Sequence, residues 1–396
     1  MSSPVCPDVS SLSGQDGARS AAPRAASRKA GNSLQLVDLG KALASQLIVW
    51  HHLALYGPMC EVAETLAPEL RAWLVDNGRL AVQVFLVMAG FLAARSMVPH
   101  PGAAPRGGSG NRWTDFVSSI GRRFWRLAEP YWVALLAALL AARAARSLIE
   151  HPTIPAEPTL LQWVANVLMV QDIAGLGALS AGVWYVAIDL QLFAMVALLG
   201  LLRQGWEGRG RTLLTACLVL AAVLSSLLVF NLDSSFDVWA IYFAGSYGMG
   251  MLAQWAVASR PGARVGWLLV LLALTGSALL AEWRVRILLA GLCALMLALL
   301  VPLQLQLPRR LAALSSWLSR ISYAVFLLHY PVLLLTGAMV GAWLPETPAV
   351  HAAGLGLAWS LSLLAGWGLQ AGLEAWARWR RQASSDDADQ RAAVPG

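Results

Sequence analysis

Apolar runs of about twenty residues recur along the chain, at 36–57, 78–98, 127–149, 183–203, 211–230, 237–257, 265–281, 285–304, 318–341 and 351–376. Each is long enough to cross the hydrocarbon core of a bilayer as a helix. The Leu- and Ala-rich runs do not alternate, so they do not resemble the short strands of a membrane barrel. In lipid a helix satisfies its own backbone within one segment. The pattern therefore predicts an all-α polytopic membrane protein of about ten transmembrane helices. A shorter apolar stretch, 159–173, is interrupted by Gln162, Asn166, Gln171 and Asp172 and predicts a loop or an interfacial helix. Residues 1–33 are rich in Ser, Ala, Gly and Arg with no apolar run, which predicts a disordered cytoplasmic tail and no secretory signal. Residues 377–396 predict a second polar cytoplasmic tail, leaving 34–376 as the membrane domain.

Composition agrees, with 58% hydrophobic and 13% charged residues; a soluble domain carries roughly 25% charged. A net charge of +7 would raise nucleic acid as a partner of a soluble chain. Here the basic residues are sorted by membrane side, so no nucleic acid is expected. Arg19, Arg24, Arg28 and Lys29 precede the first run, and Arg106, Arg112, Arg122, Arg123 and Arg126 lie between the second and third. Arg209, Arg211, Arg260, Arg264, Arg309, Arg310, Arg378, Arg380 and Arg381 fall on the same side. The alternate connections carry Glu61, Glu64, Glu69, Asp76, Glu150, Glu157, Asp172, Asp233, Asp237 and Glu346. The positive-inside tendency then places both termini in the cytoplasm. Arg71 and the Glu282–Arg286 turn do not follow it. The cysteines, Cys6, Cys60, Cys217 and Cys293, are far apart, with neither a disulfide framework nor a zinc-site spacing. The halves of the chain show no paired broken helices of transporter type.

Ionisable groups inside apolar runs are costly, so each is a functional candidate. The first run holds Asp38, Lys41, His51 and His52. Lys41 and His52 are eleven residues apart, on one helix face and about 16 Å apart along the axis. His51 points about 100° away from His52. Lys41 could snorkel to the headgroups beside a mere polar patch, or a histidine here could act as general base. In the second run, Gly78 and Gly90 permit close helix approach. Arg122, Arg123 and Arg126 either touch anionic lipid or clamp a phosphorylated cytoplasmic ligand. Asp189, flanked by Trp184 and Gln191, is a structural ion-pair member or an orienting group for a histidine. His329 near Pro331 suits a helix–helix hydrogen bond or a reactive role, and Pro331 should weaken the helix there.

Together these segments resemble the membrane acyltransferase-3 family. Asp38-Leu39-Gly40-Lys41-Ala42 with His52 matches its opening segment, Lys41 standing where Arg is usual. Ala81 to Leu92 matches its second span, with Gln83 and Ala89 as departures. Arg122, Arg123, Arg126, Pro130 and Tyr131 follow its cytoplasmic basic motif with one extra residue before the proline. Trp184 to Phe193 matches a further segment, keeping Gln191 and carrying Asp189 for Glu. Ile321, Ser322, Tyr323, Phe326, Leu327, His329 and Pro331 match the late segment. The resemblance covers roughly 36–376. It implies transfer of an acyl group, most simply acetyl from acetyl-CoA, to a hydroxyl of an extracytoplasmic or lipid-linked glycan. No cofactor would be bound permanently and no metal is implied; acyl-CoA is a co-substrate. His52 would be base or acyl relay and Asp189 its orienting partner, while Lys41, Arg122, Arg123 and Arg126 would hold the donor. His51, Trp184, Gln191, Tyr323 and His329 would bind substrate or serve structure. A separate extracytoplasmic protein could complete the transfer. A flippase for a lipid-linked glycan, or a sensor or scaffold on the same fold, are the other readings. The first predicts a continuous polar path and the second an occluded His52 region.

Overall fold

In the computed structural model, which describes residues 16–97 and 111–392 and the side chains of 35–97 and 111–383, every one of these apolar runs is helical. The described residues form thirteen α-helices: α1 (Asp16–Leu55), α2 (Pro58–Ala63), α3 (Pro68–Asn77), α4 (Ala81–Ser96), α5 (Arg112–Leu148), α6 (Leu160–Val167), α7 (Val183–Leu202), α8 (Gly208–Leu228), α9 (Ala240–Ala258), α10 (Pro261–Ala281), α11 (Val285–Leu300), α12 (Arg309–Trp343) and α13 (Pro348–Ala392). Local chemistry sets several starts. Asn111 and Thr159 accept backbone N–H bonds at the heads of α5 and α6, the usual N-cap device. Proline occupies the first helical position of α2, α3 and α10, where its missing N–H costs nothing. The α1 backbone is helical from Asp16, ahead of the expected start at 36. Residues 1–15 of the expected tail, and Arg106, lie outside the described residues.

Eight helical segments among the described residues are long and apolar enough to cross a membrane. The protein is a multi-pass membrane protein. The two expected spans outside that set are those of α1 and α9. Fifteen of the nineteen α9 residues are buried, so this helix meets protein on nearly every side and has little need of an apolar surface. The other interior helix is α12, whose most apolar stretch is 72% buried, against 22% for α10. Around α12 pack α1, α5 and α13; around α9 pack α4, α8, α10 and α11. Contacts of α1 with α4, and of α7 with both α5 and α9, join the two groups.

The α4–α9 crossing is unusually close. A Cβ on Gly90 would stand 1.8 Å from the Tyr247 carbonyl oxygen, and one on Gly250 would stand 2.0 Å from that of Val87. At the same crossing the Ser246 hydroxyl donates to Gln83 Oε1 at 2.6 Å, a role for Gln83 that needs no chemistry. Pro130 and Pro331 both lie inside continuous helices, α5 and α12. The weakening expected at Pro331 does not interrupt α12: that residue is enclosed by neighbouring helices, which hold the helix through the lost backbone bond.

The 149–182 connection folds back along α5. Tyr131 donates to the Asn166 carbonyl at 2.9 Å and the Trp132 indole to that of Val167 at 3.0 Å. Tyr131 is seventeen residues before the end of α5, about 25 Å along its axis. The Asn166 side chain ties the returning chain by accepting from the Leu179 N–H at 3.0 Å and donating to the Gly177 carbonyl. Residues 159–173 thus form a short helix and turns that descend beside the bundle. The two exceptions to the charge rule are also explained. Arg71 donates to the Ala54 carbonyl at the end of α1 and pairs with Glu64. Arg284 donates to the Leu227 carbonyl and to Asn231, and Arg286 to Tyr242 and the Asn231 carbonyl. These guanidiniums cap helix ends, where backbone carbonyls lack partners.

Candidate active site

Helices α1 and α12 run side by side in the same direction. The Leu307 N–H reaches Gln35 Oε1 at 3.3 Å, and Ser319 donates to Asp38 Oδ1 at 2.7 Å. Farther along, His52 Nδ1 lies 2.7 Å from His329 Nε2. The ring planes are 8° apart and the centroids 4.8 Å apart. Both side chains are buried, His52 at 7% and His329 at 1% exposure.

The protons follow from the partners. His329 Nδ1 is 2.7 Å from the Phe326 carbonyl oxygen, which can only accept, so that nitrogen carries hydrogen. In a neutral ring Nε2 of His329 then has a lone pair and accepts. His52 Nδ1 must therefore be the donor between the two rings. Its Nε2 is left with a lone pair and makes no hydrogen bond among the described residues. One imidazole holds the other in the tautomer a general base requires.

His51 is engaged differently. Its Nδ1 donates to the Leu74 carbonyl at 2.9 Å. Its ring lies under Gly78, where a Cβ would come within 2.5 Å of the histidine Cβ. Beyond His52, toward the end of α1, stands Tyr56, with ring centroids 5.7 Å apart. Tyr56 meets the edge of Tyr330, whose hydroxyl donates to the Thr153 carbonyl at 3.3 Å.

A second polar centre lies between α5 and α7, where Arg123 forms an ion pair with Asp189. The Arg123 guanidinium also lies over the Phe193 ring, 5.4 Å from its centroid. The orienting contact expected of Asp189 at His52 is thus made by His329, and Asp189 engages an arginine. Tyr323 links the centres by donating to the Leu127 carbonyl at 3.2 Å. Four residues of α5 separate Arg123 from Leu127 and six of α12 separate Tyr323 from His329. The centres are therefore about 15 Å apart along the helices. Arg126 is exposed, close to Arg123 and Asp189. Arg122 is exposed as well and donates to the Ser118 hydroxyl at 3.1 Å. Lys41 is partly buried on α1 in the field of Asp38.

Trp184 and Gln191 support the frame. Trp184 packs on Phe243 with centroids 5.7 Å apart. Gln191 donates to the Val238 carbonyl at 3.1 Å and accepts from the Ala240 N–H at 2.9 Å, securing the start of α9. The structure adds residues that sequence reading passed over. Tyr185 and Tyr247 join the expected Tyr323 around Arg123 and Asp189. Ser180 is buried, with a hydroxyl that has no partner among the described residues. Two residues later Gly182 meets the Phe326 ring, 2.6 Å from where its Cβ would stand. A tyrosine within an apolar run, or a serine in a connection, carries no signal of its own, and only the tertiary fold gathers them. Among the described residues no group of three His, Cys, Asp or Glu side chains could hold a metal ion.

A family model described as an acyltransferase domain matches residues 35–365. No curated protein and no solved structure matches the chain.

Proposed function

The chain belongs to the membrane acyltransferase-3 family, and from that premise we propose that it moves an acetyl group from cytoplasmic acetyl-CoA to a hydroxyl of an extracytoplasmic or lipid-linked glycan. The observation that carries the reading is the 2.7 Å contact of His52 Nδ1 with His329 Nε2. It leaves Nε2 of His52 as a buried base. The acceptor hydroxyl gives its proton to that nitrogen as its oxygen attacks the thioester carbonyl. The carbon–sulfur bond breaks, and the proton passes from His52 to the departing CoA sulfur. His329 holds the tautomer before the reaction and stabilises the imidazolium during it. Asp189 neutralises the partly buried Arg123, while Arg122, Arg126 and Lys41 attract the anionic donor from the cytoplasm. In this reading α1 and α9 also cross the membrane, giving ten spans with both termini inside, in the cytoplasmic membrane of a bacterium.

The test is chemical. A strain lacking the protein should produce surface glycans lighter by one acyl group. The wild-type gene should restore the mass, and His52→Ala, expressed at the same level, should not. Glycans that keep every acyl group but fail to reach the surface would favour the flippase reading instead. Transport alone gives no use to a base fixed in one tautomer.

A further inference from the structure

A cavity of about 360 Å³ opens where the first turns of α5 meet the end of α7. Phe116 and Ser119 line it from α5, Gly200 from α7, Arg203 and Gln204 from the turn after α7, and Arg211 from α8. Asp115 lines it too and has an interaction of its own. A third guanidinium is close: Arg112 Nη1 lies 3.8 Å from where a Cβ of Gly205 would stand. Arg203 uses one N–H on the Met97 carbonyl at 3.3 Å, and Arg211 one on that of Trp206 at 2.7 Å. A guanidinium has five such donors, so most remain for a ligand among the described residues.

Gly200 lines the cavity, and a Cβ there would meet nothing within 4 Å, as at several other glycines of the chain; at Gly200 the open space is the cavity itself. Ser119 is one turn before Arg123, so the cavity continues the α5–α7 seam about 6 Å beyond the Arg123–Asp189 pair, on the side away from the histidines.

We infer that this cavity binds the phosphates at the nucleotide end of the acyl-CoA, through Arg203 and Arg211. Forked guanidiniums match phosphate oxygens. The distance from Ser119 up to His329, about 21 Å along the helices, suits a donor whose phosphates and thioester stand at opposite ends of a long flexible arm. The inference rests on the donor assigned above. It adds a site that Arg122, Arg123 and Arg126 do not form. A phosphate on an anionic lipid headgroup offers the same chemistry, and the experiment separates the two.

Purified full-length protein in nanodiscs of zwitterionic lipid is titrated calorimetrically with CoA and with 3′-dephospho-CoA. Arg203→Gln and Arg211→Gln should each weaken CoA binding about tenfold, the loss of one charge-assisted contact. Gly200→Leu should block binding by filling the cavity while leaving the melting temperature unchanged. Arg209→Gln, exposed on the same connection and outside the cavity wall, should bind like wild type. Wild type that binds CoA alongside variants that bind equally well would overturn the cavity assignment and leave the donor reading standing. Wild type that binds no CoA would overturn both. Variants that keep CoA binding but lose a thermal stabilisation conferred by anionic lipid would assign the phosphate to a headgroup and overturn the inference.

Discussion

His52→Ala should reduce acyl transfer by about 10²–10⁴-fold, the usual contribution of a positioned base, with expression and membrane insertion unchanged. His51→Ala should keep activity and lose about 1 kcal/mol of stability, because its Nδ1 bonds the Leu74 carbonyl away from His329. Side-by-side turnover and thermal melting of the two variants would separate the neighbours. The resemblance selected His52 over His51 from spacing alone, but the tautomer was not legible: it depends on His329, 277 residues along the chain, and on the Phe326 carbonyl that His329 bonds. The ion pair makes a different prediction. Asp189→Leu alone leaves Arg123 without its partner, whereas Arg123→Leu with Asp189→Leu removes both charges. The double variant should melt above the single Asp189 variant, since an uncompensated charge costs more than an absent pair. A double variant that melts below it would show that Arg123 stabilises the fold without Asp189. Asp189 was legible as a costly intramembrane carboxylate, yet its partner was not, because Arg123 is 66 residues away.

Helices α4 and α9 cross where Gly90 and Gly250 leave no room for a side chain. Gly250→Ala should push the two backbones apart and lower the melting temperature, at a cost of about 1–3 kcal/mol, typical of overpacking. Gly200→Leu, which meets open space, should not. Equal melting temperatures for the two would contradict the packing described. The sequence marked Gly90 as a site of close approach but not Gly250, since one member of a crossing does not name the other. Each of the ten apolar runs falls on a helix, and eight helical segments among the described residues are long and apolar enough to cross a membrane. Apolar length could not tell the surface helix α10 from the enclosed helix α9, because burial by protein relaxes the demand for apolar residues that lipid imposes. The weak stretch 159–173 was legible as no span, but its return along α5 rests on Asn166, Tyr131 and Trp132 meeting in space.

At the scale of the molecule, the all-helical membrane class follows from apolar run length, and the proposed orientation from the distribution of arginine. Glu346→Cys should react with a membrane-impermeant thiol reagent in intact cells, and Arg209→Cys only after permeabilisation. The reverse pattern would invert the topology. Arg71, Arg284 and Arg286 stand outside the charge rule because each bonds backbone carbonyls, a use that charge counting cannot register. The two polar centres, about 15 Å apart along the helices, support the proposed division of labour, with the donor on the arginine side and proton transfer on the histidine side. The most direct test is the initial rate of labelled acetyl transfer from acetyl-CoA to purified glycan acceptor, measured in parallel for wild type, His51→Ala and His52→Ala. The account predicts transfer by the first two and its loss in the third; a His52→Ala protein that transfers acetyl at the wild-type rate would contradict it.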